Sequence, residues 1–224
     1  MIYWNVIFDL DGTLIDSAEL TGLIIDQMLA ERGVTQLADR NLIRKMDAVG
    51  GAPMIAAVMG AHTNDAAADL EEFRHRHRVI AVPISLPFHG VVEALEQLRD
   101  SGVRLAICSN KPQFLCEKIL GELGLSDLFT AIIFTAIIGS EPHRARKPDP
   151  AAAHLALASL AARPSETIFC GDSAIDMATA KAAGVDPCLA SWGYGAADAI
   201  RTAPDLLVLH KMQDLVDLVH GGHA

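Results

Sequence analysis

Apolar residues in this chain fall into two patterns. Six short runs are apolar at consecutive positions: NVIF (5–8), VRLAIC (103–108), AIIFT (131–135), TIFC (167–170), PCLA (187–190) and DLLVL (205–209). Their length and continuity fit strands buried on both faces. Between most of them the apolar positions recur at helical spacing. VVEALEQLRDSG sets Val91, Val92, Leu95 and Leu98 on one face and stops at Gly102, while PQFLCEKILGELG opens on proline and closes at Gly124. PDPAAAHLALASLA and SAIDMATAKAAG follow the same pattern. Strands alternating with helices predict an α/β fold of the Rossmann-like kind, a parallel sheet covered by helices on both faces.

The alternation fails between the first strand and the second. Residues 17–84 carry helical signals, in AELTGLIIDQMLAERG, DRNLIRKM and DAAADLEEFRHRHRVI, and no convincing strand. The economical reading is an inserted α-helical cap, 17–84, on a catalytic core made of 1–16 and 85–224.

Half the 224 residues are hydrophobic and 21% are charged, the balance of a folded globular chain. Eighteen basic against 28 acidic residues give a formal charge of −10, which speaks against a nucleic-acid or anionic-membrane surface. The densest basic run, RHRHR at 74–78, follows Glu71 and Glu72 and reads as a solvated helix face. The four cysteines show neither a CxxC pair nor metal-finger spacing, and Cys108 and Cys170 fall inside apolar runs. A reduced, cytoplasmic protein is the simplest reading. Acids interrupt the N-terminal apolar stretch by residue 9, so it does not read as a signal peptide.

Ligands of open α/β sheets bind beyond the carboxyl ends of the strands. There the sequence places Asp9 and Asp11 after the first strand and Ser109 and Asn110 after the second. Lys147 follows the third, and Gly171, Asp172 and Ser173 follow the fourth, with Asp176 four residues beyond Asp172. Each has a plain alternative: Asp-Gly marks turns, Ser109 and Asn110 suit a turn or cap, Lys147 suits solvent, and Asp172 suits a helix cap. Their convergence on one sheet edge argues for chemistry. Asp9, Asp11 and Asp172 sit together only around a cation, and oxygen ligands without histidine or thiolate suit Mg²⁺. Ser109, Asn110 and Lys147 opposite the cation hold phosphate oxygens. Asp9 then acts as carboxylate nucleophile and Asp11 as general acid and base.

In order, the motifs DLDGTL, CSN, KPDP and GDSAIDM resemble the four signatures of the haloacid dehalogenase superfamily, and the resemblance covers essentially the whole chain. It implies Asp9 as nucleophile, Asp11 as acid/base, Ser109 on the transferring phosphoryl group, and Lys147 neutralising both that group and the nucleophile. It also implies Mg²⁺ on Asp9, Asp172 and the backbone carbonyl of Asp11, with Asp176 supporting the metal shell. The second acid, Asp11, counts against dehalogenases and phosphonatases. VGGAPM (49–54) is similar to the substrate loop in the cap of phosphoglycolate phosphatases, so Gly50, Gly51 and Pro53 are candidate substrate contacts; SWGYG (191–195) is similar to that branch too.

These features predict a phosphomonoesterase, monomer or homodimer, acting on a small phosphorylated metabolite such as phosphoglycolate. A β-phosphoglucomutase-type phosphosugar mutase shares every core motif and is the alternative. A receiver-like phospho-acceptor module fits worse, being shorter and without the helical insert. Arg40 and Arg44, four apart on a predicted helix, either form a solvated face or pair with a substrate carboxylate. His143, Arg144 and Arg146, in EPHRARKPDP, are either surface residues or contacts at the mouth of the site.

Overall fold

A computed structural model describes residues 3–47, 49–129, 131–134 and 145–221. Thr135, His143 and Arg144 therefore lie outside the described residues. Six strands form one sheet: β1 (Asn5–Phe8), β2 (Arg104–Ser109), β3 (Ala131–Phe134), β4 (Thr167–Gly171), β5 (Asp186–Ala190) and β6 (Leu207–Leu209). Every pairing is parallel, in the order β3-β2-β1-β4-β5-β6. The fold is thus the α/β, Rossmann-like sheet that the apolar runs predict.

The helices are α1 (Ser17–Glu31), α2 (Arg40–Met46), α3 (Gly51–Met59), α4 (Ala66–Val79), α5 (Val91–Asp100), α6 (Gln113–Glu122), α7 (Ala151–Ser159), α8 (Ala174–Ala182), α9 (Ala196–Thr202) and α10 (Met212–Val219). The chain divides into two compact units, Met1–Ile15 with Pro87–Ala224, and Asp16–Leu86.

In the first unit α7 and α8 pack on one sheet face. Their small residues Ala152, Ala153, Ala156 and Ala180 let the helices approach Ile7, Ala106, Cys108 and Phe169 closely. α5 packs on β2 and against α10. Reversal of strand order between β1 and β4 makes a topological switch point, where the carboxyl ends of neighbouring strands open a crevice. β1 ends at Phe8 and β4 at Gly171, so Asp9 and Asp172 emerge side by side, and the Asp9 N–H donates to the Cys170 carbonyl at 3.0 Å.

The second unit is built from α1–α4. Leu20, Ile24, Ile25 and Met28 of α1 are fully buried, as are Ile43 and Ile55 from α2 and α3. Ion pairs hold the turns, Arg40 to Asp26 and Arg32 to Asp69, both at 2.6 Å. Two local readings are corrected here. The stretch after Gly50 is a helix from Gly51, not a loop; Pro53 falls in its first turn, where a missing N–H costs nothing. Nor is RHRHR a uniformly solvated face: His77 is buried edge-on to Phe73, and Arg76 is paired to Glu31 and Glu72 at 2.5 and 2.7 Å.

Candidate active site

The turn after β1 starts the site. Gly12 has φ of +77°, and a Cβ there would lie 2.6 Å from the Asp172 Oδ2, so both backbone and space require glycine. Asp9, directly after β1, is buried, and Asp11, two residues on, is half-buried. α8 follows β4 and is opened by a capping box: the Ser173 side chain accepts from the Asp176 N–H, and Asp176 Oδ2 accepts from Ser173 N and Oγ at 3.1 and 2.6 Å. The cap turns Asp176 inward until it is almost wholly buried.

Lys147 joins these acids. Its ammonium is buried and lies 2.8 Å from Asp9 Oδ1 and 2.7 Å from Asp176 Oδ1, with the Phe169 ring 5.8 Å away. The solvated reading of Lys147 is excluded. One oxygen from each of Asp9, Asp172 and Asp176 can be chosen so that all lie within 4.8 Å of one another. Three buried carboxylates this close repel, and one lysine offsets only part of that charge. An all-oxygen donor set of this kind fits a hard divalent cation.

Burial pushes the Asp9 carboxyl up to about 6; Lys147 pulls it down, and Asp176 and Asp11 push it further up. Burial alone would lower the Lys147 pKa, but Asp176 and Asp9 outweigh it and hold the lysine above its ordinary value. The ammonium is therefore charged, and added positive charge nearby would favour the ionised form of Asp9.

A model of the haloacid dehalogenase-like hydrolases matches residues 6–190. The chain belongs to that family. A phosphoglycolate phosphatase of Pectobacterium atrosepticum is 32% identical to this hydrolase over 221 residues, 97% of this chain and 92% of that protein. One from Aquifex aeolicus is also 32% identical, over 96% of this chain and 95% of its own length. A crystal structure of a predicted phosphoglycolate phosphatase from Haemophilus somnus superposes with a TM-score of 0.77 at 25% identity, covering 96% and 97% of the two chains. Full-length likeness of this extent puts the hydrolase among the family's phosphatases.

Ser109 is buried at the end of β2, its Oγ accepting the Lys111 N–H at 3.3 Å. Asn110 clasps the main chain of Lys147: its Oδ1 accepts from Lys147 N at 2.9 Å and its Nδ2 donates to Lys147 O at 3.3 Å. Bonded at both ends to that main chain, the amide helps to place the lysine. The Asp11 side chain faces Lys111, with Nζ 3.1 Å from Oδ1 and both largely buried. Lys111 was not among the candidates, because nothing in the sequence separates it from a solvated lysine.

In the helical unit, Arg44 is held by acids of its own unit. Its guanidinium pairs with Asp16 at 2.5 Å and Glu19 at 2.7 Å, while Arg40 pairs with Asp26 and Glu19. Acids of α1 and the residue before it already supply the carboxylates. Gly50 and Gly51 open α3 with φ of 58° and 59°, and Pro53 follows in its first turn. Arg146 is exposed. The four cysteines are free and buried, and among the described residues no helix is long and apolar enough to cross a membrane.

Proposed function

We propose that this hydrolase removes phosphate from a small phosphomonoester of the phosphoglycolate type, with Mg²⁺ as cofactor and Asp9 as the phosphorylated residue. The observation that carries the reading is the buried cluster of Asp9, Asp172 and Asp176, with Lys147 paired to the first and last. An Asp9 oxygen attacks phosphorus, the ester P–O bond breaks, and the leaving alkoxide takes a proton from Asp11. Asp11, now ionised, takes a proton from water; the hydroxide displaces Asp9 from phosphorus and releases inorganic phosphate. Lys147 offsets charge on Asp9 and the transferring group, and the Ser109 hydroxyl holds one phosphoryl oxygen. Asp9, Asp172 and the carbonyl of Asp11 would hold Mg²⁺, which supplies positive charge that favours ionised Asp9 and neutralises phosphoryl oxygens. Asp176 supports that arrangement through Lys147 and the α8 cap.

The substrate class rests on likeness to phosphoglycolate phosphatases along nearly the full chain. Residues 17–84 serve in this reading as a cap that selects small esters, with Gly50, Gly51 and Pro53 as its substrate-facing turn. Four free, buried thiols support a reduced, cytoplasmic setting. The test is kcat/KM on phosphoglycolate, hexose phosphates, nucleotides and p-nitrophenyl phosphate, with Mg²⁺ and after chelation. Phosphoglycolate or a similar small acid leads if the reading holds. Net isomerisation of a hexose phosphate would replace it with the mutase.

A further inference from the structure

The loop Ser191–Gly195 after β5 touches both Asp172 and the β1 turn. The Gly195 N–H donates to Asp172 Oδ2 at 3.1 Å. Gly193 presses against the same residue: a Cβ there would meet Asp172 Cβ at 2.1 Å and the Gly12 carbonyl oxygen at 2.5 Å. A Cβ on Gly12 would in turn meet Asp172 Oδ2 at 2.6 Å and the Tyr194 ring at 3.1 Å. Asp172 is thus packed against two stretches of bare backbone that also touch each other. The loop is itself tied down: the Trp192 indole N–H donates to the Thr13 carbonyl at 3.0 Å, Ser191 N–H to Leu209 O at 2.9 Å, and Gly193 N–H to Ala190 O at 3.2 Å.

We propose that this loop is a positioning element that fixes the Asp172 carboxylate against the β1 turn and thereby sets how tightly the acid cluster binds a divalent cation. The inference rests on the reading of Asp172 as a metal ligand. A carboxylate with one oxygen held by an amide, and with no room to rotate, meets a cation without first being ordered. Trp192 makes the arrangement cooperative, because it fastens the loop to the turn that carries Asp11 and Gly12. Loosening the indole therefore relaxes a ligand from β4 and one from β1 together. Contacts behind a ligand commonly contribute about 10–100-fold in metal affinity.

Three variants of the full chain test this. Trp192→Phe keeps an aromatic ring and removes only the indole donor. Gly193→Ala adds the methyl that Asp172 must yield to. Gly121→Ala on α6 meets nothing nearer than 3.8 Å and serves as control. Calorimetric titration of Mg²⁺ into chelator-treated protein should give a Kd raised about tenfold for Trp192→Phe and up to about 100-fold for Gly193→Ala. Gly121→Ala should leave it unchanged, and kcat of Trp192→Phe should recover at saturating Mg²⁺. Melting in chelator monitors the fold, and Trp192→Phe decides the question if Gly193→Ala does not fold. An unaltered Kd in folded Trp192→Phe overturns the proposal, as does a kcat loss that excess Mg²⁺ fails to restore. Failure of the unaltered protein to bind Mg²⁺ removes the metal reading and this inference with it. A shifted Kd in a protein inactive on every phosphomonoester removes only the proposed function.

Discussion

Two buried carboxylates flank Lys147, so replacing the lysine with methionine leaves Asp9 and Asp176 facing each other without a nearby ammonium. Removing one partner from a buried ionic group typically costs about 3–5 kcal/mol. The rate should fall further, by about 10²–10³, if the ammonium acts on charge that develops at phosphorus. Lys147→Met should therefore lose both melting temperature and kcat, and a variant with near-normal kcat would separate the lysine from the chemistry. Asp9→Asn tests another part of the same argument. The amide has nearly the shape of the carboxylate but is a poor nucleophile, so turnover should vanish while the far-ultraviolet spectrum and melting temperature stay close to those of the unaltered protein. The unaltered enzyme treated with beryllium fluoride should carry the adduct on Asp9; finding it elsewhere would sink the mechanism.

At the level of helices and strands, α8 owes its start to Ser173 and Asp176, which cap it reciprocally. Ser173→Ala should destabilise the protein by about 1 kcal/mol, the usual worth of such a cap, and free Asp176 to turn from Lys147. Thermal melts would read the first effect and kcat the second. The helical unit has its own sensitivity, to acid. Burial raises a carboxyl, but at Asp26 the Arg40 guanidinium and the Ala38 N–H outweigh it, and at Asp69 the Thr63 hydroxyl and Arg32 do. Both carboxyls are held below the ordinary aspartate value near 3.9. Stability from a depressed carboxyl is present above that value and is lost as pH falls through the folded pKa. Melting temperature should drop as pH falls below about 4, and Asp26→Asn, less stable at neutral pH, should show a shallower drop. An unchanged slope would show that the pair adds nothing to acid lability.

What the sequence disclosed follows the same division. The strands were legible because strands of a parallel sheet are written as short, nearly unbroken apolar runs, and β1, β2 and β4 lead directly into polar motifs. Helices α3, α9 and α10 were not marked: α3 is apolar nearly all round and carries Pro53, and α9 and α10 are only seven and eight residues long. Asp9, Lys147 and Asp172 stood out by type and place. The roles of Asn110, Lys111 and the 191–195 loop did not, since each depends on which backbone atoms another part of the chain brings near. The partners of Arg44 were hidden for the same reason, Asp16 and Glu19 lying 28 and 25 positions away.

Across the whole molecule, the acids of the proposed cation site all belong to the sheet-bearing unit, whereas Asp26 and Asp69 belong to the helical one. Cation and acid should therefore act on different parts of the chain. A ligand that binds only the folded state stabilises it by RT ln(1 + [L]/Kd), about 2.7 kcal/mol at one hundred times Kd. For a chain of this length each kcal/mol moves the midpoint by about 2–4 °C, so saturating Mg²⁺ should raise it by about 5–10 °C over chelated protein. Ca²⁺ should support little turnover, because a site with few protein oxygens suits the tight octahedral shell of magnesium better than the looser shell of calcium. Hydrogen exchange locates the effect. Mg²⁺ should slow exchange at the carboxyl ends of β1 and β4 and at the start of α8, where Asp9, Asp172 and Asp176 lie, and leave α1–α4 nearly unchanged. Lowering pH from 5 to 3 should do the reverse, once intrinsic exchange is corrected for pH, loosening α1, α2 and α4 first. Protection by Mg²⁺ confined to residues 16–86 would place the cation site in the wrong unit and remove Asp172 from it.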